Sequence, residues 1–554
     1  MNDPRAPLDF GAAMTGFAVV AAANCLYLTG LPLILDPMMS MEPFYIQMAQ
    51  HSVPSIVSGP PAWGPLYAVW LKPFVALLGD PLAVYTANLY ALSIGVSGLV
   101  YLYLLLLTRR VAAAVGAALF FLISDFNVPL SSKVSAFALM SVLAGLTISE
   151  LVGVGARRLS IAAAGVLLAS YARPELYPAA VCLCLAATWL AYRELRTSGP
   201  RILAWPAASV GSLLVLGCWI GNPLFNADPG DDRFLMAFRE HFAWNWSQWH
   251  GQGRYFLSIW EEEFGAAHTP LQALVNNPTA VMHHLSDNLF GTLRFIVGAA
   301  FDHYPLLAPA TRPALVQAES WLVSAIVFGS LILVAARPGL RRALVGRYGH
   351  VLVPYTVVAA FAVAAATAIF PLSHYLVIPG VFLVLAATLA ATLLVPTSPA
   401  RYSWRARTLA ALACLVAVPR PFVLPSAYVV PGSNFKGRIE VTRTITDTIA
   451  FIRSLELPAP VQVLTLTDGI GELLGRGFHE VKMWQKGAQP LDAYIRDNHI
   501  DMIVSLEPGR QSFSFDDPYW NLVQTTPDAA GFTRFTIPNH ETVHVYVRTE
   551  RLRR

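Results

Sequence analysis

Apolar runs of about 20 residues recur through the first three quarters of the chain, separated by short connections rich in arginine. An α-helix rises 1.5 Å per residue, so a run of about 20 residues spans the roughly 30 Å hydrocarbon core of a bilayer. Such runs narrow the choice of fold sharply, because a backbone in lipid must satisfy its polar groups within the segment. Composition agrees: 55% of the residues are hydrophobic, only 13% are charged, and mean hydropathy is +0.52. The chain reads as an α-helical polytopic membrane protein with about 11 spans. They are placed near 11–35, 82–107, 111–127, 133–153, 159–173, 175–192, 202–222, 318–336, 350–370, 374–395 and 408–424. The first run has no small-residue cleavage site and reads as an uncleaved helix rather than a signal peptide.

A net charge of +4 says little about partners, and no nucleic-acid partner is expected; the placement of charge says more. Arginines cluster at Arg109-Arg110, at Arg157-Arg158, at Arg193, Arg196 and Arg201, from Arg337 to Arg347 and from Arg401 to Arg407. Assigning these connections to the cytoplasm by the positive-inside bias puts the N-terminus inside and the C-terminal tail outside. The five cysteines (Cys25, Cys182, Cys184, Cys218 and Cys414) all fall in apolar runs, without metal-ligand or redox spacing, and read as helix packing. High Ala and Arg with few Lys suggests a bacterium, hence an inner-membrane protein with a periplasmic tail.

Three soluble stretches interrupt the helices. Within a membrane region of 1–424, the first external loop covers 36–80 and a long external loop covers 223–317. The first loop carries Asp36 and Glu42 within about two helical turns, and its 42–52 section reads as a helix lying at the membrane surface. Acids at the mouth of a membrane helix are costly unless water, a partner or a ligand satisfies them. The long loop is far beyond ordinary connection lengths, and such loops tend to be functional. Its run from Phe242 to His250 is rich in tryptophan and is expected to re-approach the bilayer. The tail, 425–554, reads as a small α/β domain: helices over 439–455, 469–476 and 491–498, strands over 461–466 and 500–505, and a hairpin over 532–537 and 543–547.

Taken in order, these pieces resemble the GT-C superfamily of membrane glycosyltransferases and are similar to its bacterial PMT/ArnT-like group. Glu42-Pro-Phe-Tyr45-Ile-Gln-Met-Ala49 looks like the family's Asp-Glu-x-x-Tyr-x-x-x-Ala pattern, with Met41 in place of its Asp. The run from Gly64 to Gly79 resembles the family's re-entry after that loop. Ala172-Arg-Pro-Glu175 resembles its recurrent Thr-Arg-Pro, and Phe370 to Pro379 its late Pro-x-x-Arg-Tyr helix start, with His374 in place of the Arg.

The resemblance implies transfer of a sugar from a polyprenyl-phosphate donor to a lipid or glycan acceptor at the outer face, for cell-envelope modification. Such transfer needs a base for the acceptor hydroxyl and cations or donors on the departing phosphate. Asp36 and Glu42 suit the first role; Lys133, Arg173, Arg254, Arg294, His374 and Tyr375 suit the second. Tyr45, Trp63, Trp244, Trp246, Trp249 and His250 are candidates for sugar, acceptor or lipid contact, since aromatic faces suit all three. Two carboxylates would fit Mg²⁺ or Mn²⁺ without establishing a site. Plainer roles stand beside each of these. Asp36-Pro37 suits a helix stop, Glu42 a helix N-terminus, Lys133 and Arg294 snorkelling, and Arg173-Glu175, His374-Tyr375 and the tryptophans interfacial anchoring.

His283, His284 and His303 lack zinc spacing, and Thr467 to Glu472 lacks the spacing of a nucleotide loop. Two other classes remain: a transporter or flippase of lipid-linked sugars, and a scaffold whose tail binds a partner. The charges at helix ends and the lack of matching halves weigh against the transporter.

Overall fold

The structure is a computed structural model. It describes residues 9–28, 42–59, 63–124, 133–224, 233–251, 256–301, 324–325, 328–394, 429–431, 438–440, 444–465, 469–486, 489–506, 517–538 and 540–552. The membrane part opens with α1 (Phe10–Leu28). Four helices then cover the first loop and the following span: α2 (Glu42–Met48), α3 (Val53–Val57), α4 (Pro65–Leu78) and α5 (Pro81–Thr108). Next come α6 (Val111–Ile123), α7 (Lys133–Val152), α8 (Gly155–Ser170), α9 (Tyr177–Ser198) and α10 (Ala204–Trp219). The helices α11 (Arg233–His250), α12 (Phe256–Phe264), α13 (Pro270–Asn276) and α14 (Pro278–Phe301) precede the last two apolar ones, α15 (Pro338–Ala368) and α16 (Val377–Leu394). Among the described residues, six helices are long and apolar enough to cross a membrane: Pro81–Thr108, Val134–Val152, Pro174–Thr197, Pro200–Trp219, Pro338–Ala368 and Val377–Leu394. The protein is thus a multi-pass, mostly helical membrane protein with a small α/β region at its C-terminal end.

Helix ends follow local chemistry. The Asp80 carboxylate accepts from the Ala83 amide at 3.2 Å and Pro81 takes the first helical position, which together start α5. Where α7 and α8 cross, a Cβ on Gly145 would come 2.7 Å from the Cα of Gly165, so the two backbones touch through glycine alone. Close approach through small residues is how membrane helices gain packing when the hydrophobic effect does not press them together.

Three expectations are corrected. The arginines from Arg337 to Arg347 lie at the start of a helix rather than in a loop: Arg337 caps α15, which runs 31 residues from Pro338 to Ala368. At 1.5 Å per residue that is about 46 Å, longer than the apolar layer, so the helix carries its arginines beyond the lipid. The described residues of the expected long loop are largely helical, with α11 to α14 packed around Phe238, Phe242, Trp246, Trp260 and Phe264. Nor does α2 lie on a surface: Glu42, Pro43, Tyr45 and Ile46 are buried, because α4 and a helix of the tail cover it. The expected span at 408–424 lies outside the described residues.

The tail contains a short ladder of β1 (Val429–Pro431) and β2 (Arg438–Glu440), then α17 (Thr444–Ser454), β3 (Val461–Thr465), α18 (Ile470–Leu474) and β4 (Phe478–Lys482). It continues through α19 (Leu491–Asp497), β5 (Met502–Ser505), α20 (Pro518–Thr525), β6 (Phe532–Ile537) and β7 (His540–Arg548). The five-stranded sheet has the order β4-β3-β5-β7-β6; β3 is parallel to β4 and β5, and β7 is antiparallel to β5 and β6. Alternate residues of β3 face opposite layers, Val461 and Val463 toward Ile449, Ile452 and Leu473, Leu464 toward Tyr494 and Trp520. The sheet is therefore covered on both sides.

Candidate functional site

Glu42, at the start of α2, is 1% exposed. A buried carboxylate needs partners, and the Tyr67 hydroxyl on α4 donates to Glu42 Oε2 at 2.6 Å. The Asn88 side-chain amide on α5 donates to that hydroxyl at 2.7 Å, and Trp70 Nε1 donates to Asn88 Oδ1 at 2.8 Å. Burial, and then the Glu42 carboxylate, raise the Tyr67 phenol well above its ordinary value, so it stays protonated and donates. This chain fixes α2 against α4 and α5.

One turn along the same face of α2, Tyr45 meets a cation. Tyr45 is fully buried, with its ring 4.9 Å from that of Tyr67, and Arg233 Nη1 donates to its hydroxyl at 3.4 Å. The Arg233 guanidinium also lies 5.0 Å over the Trp63 ring. Next to Trp63, Gly64 has φ +67°, and a Cβ there would meet the Tyr45 hydroxyl at 3.1 Å and the Ala172 carbonyl at 3.3 Å. Only glycine lets the first loop turn this closely against the Ala172-Arg173 segment.

Arg173, 5% exposed, follows α8 and donates through Nε to Glu175 Oε1 at 2.6 Å. Its guanidinium lies 4.2 Å over the Tyr375 ring. Tyr375 and His374 occupy the turn between α15 and α16, their rings 4.4 Å apart. Burial, and then the charges of Arg173, His241 and Arg233, hold the His374 imidazole well below its ordinary value, so it is neutral near pH 7. His241 on α11 packs 4.5 Å from Trp244 and 5.5 Å from Phe370, and burial lowers it to about 4.

Glu42, Tyr45, Trp63, Arg173, His374 and Tyr375 thus share one locus with Arg233, and Trp244 borders it through His241. The other candidates are placed differently. Trp246 donates to Glu263 at 2.8 Å and stacks on His250 at 4.0 Å, whereas Trp249 donates to Asp287 at 2.7 Å and stacks on His283 at 4.0 Å. Those rings hold α11 against α12 and α14. Arg294 is exposed on α14, one turn beyond Gly291, where a Cβ would meet Pro371 at 2.8 Å. Asp36 and Arg254 lie outside the described residues, as does the Lys133 side chain.

Sequence reading passed over Arg233, Tyr67 and Asn88. Asn88 is an amide inside an apolar run, and Arg233 directly follows the acidic Asp228-Pro-Gly-Asp-Asp232 sequence. Both signals were present, but neither has a meaning until the partner 20 to 200 residues away is known, as with Tyr45 and Arg233, 188 apart.

A divalent cation takes several oxygen ligands. Among the described residues no group of three or more His, Cys, Asp or Glu side chains is arranged to hold one, and Glu42 already accepts from Tyr67.

No protein-family model matches the chain and no curated protein matches it. Among solved structures it is similar to the archaeal oligosaccharyltransferase AglB from Archaeoglobus fulgidus, in complex with an inhibitory peptide and a dolichol-phosphate. The likeness has a TM-score of 0.43 at 11% identity and covers 97% of this chain and 74% of that one. A likeness of that size carries nothing about chemistry.

Proposed function

We propose that the protein transfers a sugar from a polyprenyl-phosphate donor to an acceptor hydroxyl, at a site between α2, the Arg173 turn, the start of α11 and the His374-Tyr375 turn. One observation carries this reading. Two arginines from distant parts of the chain, Arg173 and Arg233, converge beside His374 and Tyr375, next to the helix that bears Glu42. Paired guanidinium groups suit the growing charge of a departing phosphate, because each presents a fork of N–H donors.

In the proposed step the acceptor oxygen bonds to the anomeric carbon as the bond from that carbon to the phosphate oxygen breaks. The electron pair leaves on the phosphate, where Arg173 and Arg233 stabilise it. The acceptor proton passes to a carboxylate. Glu42 is buried and held by Tyr67, which suits a positioning role; Asp36, at the end of the first apolar run, is the proposed base. The site would lie at the outer leaflet of a bacterial inner membrane, with a periplasmic tail forming a separate domain, and the acceptor would be a lipid or glycan.

The test is incubation of the purified full chain in detergent with a panel of polyprenyl-phosphate sugars, alone and with membrane-lipid or glycan acceptors, following loss of sugar from the donor. Turnover of one donor that Asp36→Asn abolishes, with donor binding retained, is the expected outcome. Near-normal turnover by that variant would sink the assignment of the base. Binding without turnover by any combination, with transport of the donor in vesicles, would instead favour a transporter.

A further inference from the structure

The far end of the bundle holds a second set of polar groups that glycosyl transfer does not use. Along α5, Asn88 belongs to the site above and Tyr103 lies 15 residues further, about 22 Å away. There a cavity of about 210 Å³ opens between α5, α7, α8, α9 and α15, lined among others by Tyr103, Glu150, Arg158, His350 and Val353. Arg158 Nη2 is 3.1 Å from Glu150 Oε2, and His350 Nε2 is 3.7 Å from Glu150 Oε1.

Two donors beside this cavity are buried and make no hydrogen bond among the described residues: the Tyr103 hydroxyl and Arg158 Nε. Tyr103 is 0% exposed, and an unpartnered hydroxyl in such a place is costly unless a ligand or water meets it. Both donors call for an acceptor. Glu150 supplies the opposite need: a carboxylate offers about four lone-pair directions, and with Arg158 3.1 Å from one oxygen and His350 3.7 Å from the other it keeps acceptor capacity for a further donor. The pair Glu150–Arg158 is neutral in sum, so the cavity does not select a simple anion or cation. It matches a group with a phosphate and a hydrogen-bonding ammonium at once.

The surroundings say where that group comes from. Leu151, Val154 and Val353, in or beside the lining, are exposed apolar side chains (65%, 77% and 62%) on membrane helices or at their ends, so an acyl chain has a surface to lie against. We infer that this cavity binds the headgroup of an ethanolamine phospholipid, with the ammonium on Glu150 and the phosphate on Arg158 and the Tyr103 hydroxyl. By the arginine bias of the flanking connections, the lipid comes from the cytoplasmic leaflet. The inference stands apart from the proposed transfer reaction.

The full chain in mixed-lipid nanodiscs, then stripped stepwise and weighed by native mass spectrometry, tests it with phosphatidylethanolamine, phosphatidylcholine and phosphatidylglycerol as probes. One phosphatidylethanolamine should persist at least about tenfold longer than the other two. The choline headgroup carries no N–H to donate and the glycerol headgroup no ammonium. Tyr103→Phe should shorten that retention about tenfold while leaving the folded fraction intact; Glu150→Gln serves as a second variant. Equal retention of ethanolamine and choline lipids, or an unchanged Tyr103→Phe, overturns the inference. Displacement by soluble phosphoethanolamine at low concentration also overturns it, since the site would then be one for a water-soluble ligand.

Discussion

The Glu42–Tyr67–Asn88–Trp70 chain gives a stability prediction with a worked size. Tyr67→Phe removes a 2.6 Å hydrogen bond to a buried carboxylate and takes the acceptor from the Asn88 amide. A hydrogen bond to a charged group contributes about 1.5–3 kcal/mol, and a newly unpartnered buried donor costs about 1–3 kcal/mol. The variant should therefore lose about 3–4 kcal/mol. Asn88→Leu strands both the Tyr67 hydroxyl as acceptor and the Trp70 N–H at 2.8 Å, and should lose about 2–3 kcal/mol. In the double variant the Asn88 penalty in the first loss no longer exists, so the combined cost should fall short of the sum by about 1–2 kcal/mol. Denaturant titration of the four proteins in detergent micelles, read by tryptophan fluorescence, supplies the cycle. Additivity within about 0.5 kcal/mol would show that Tyr67 and Asn88 are not coupled and that the four side chains do not act as one network.

Three further outcomes follow from the geometry. Arg173→Lys replaces a planar fork stacked at 4.2 Å on Tyr375 with a point charge, and should lower donor turnover by roughly 10²-fold, as should Arg233→Ala; thermal stability distinguishes this from unfolding. Acid should loosen the α11–α14 unit, because burial holds His241 and His284 at about 4. The unfolded chain takes up their protons below about pH 6.5 and the folded one only near pH 4. Stability is thus full above about pH 6.5 and falls on the order of 3 kcal/mol per imidazole on the way down, which hydrogen exchange across that window measures. Gly64→Ala places a Cβ in a left-handed backbone against the Ala172 carbonyl, and should cost about 1–2 kcal/mol and slow turnover, read by melting and by the donor assay.

Much of the membrane part was legible because lipid demands long apolar helices, a signal carried locally. Polar pairs were not, since the partners of Glu42, Tyr45 and Arg173 come from segments whose approach depends on packing. The helices of the long loop were hidden for a related reason. Its helices mix Trp, His and Glu around an apolar stripe, and Trp246 reads as an interfacial anchor until Glu263 and His250 are seen against it. In the tail, β4 was hidden because Phe478-His-Glu-Val-Lys482 is an edge strand with charged residues, whereas the buried β3 and β5 announced themselves.

Arg453 on α17 reaches Asp80 Oδ1 at 2.7 Å and the carbonyls of Leu473 and Leu474, while α18 rests on α2. Arg453 and Asp80 are 373 residues apart. At about 5–20 residues per second, a ribosome needs roughly 20–75 s between making one and making the other. For that interval Glu42 and Tyr45 have one wall of their surroundings still to be synthesised. A segment translated late thus closes over one translated early, and a chain cut short before α17 would leave the acidic helix uncovered from birth.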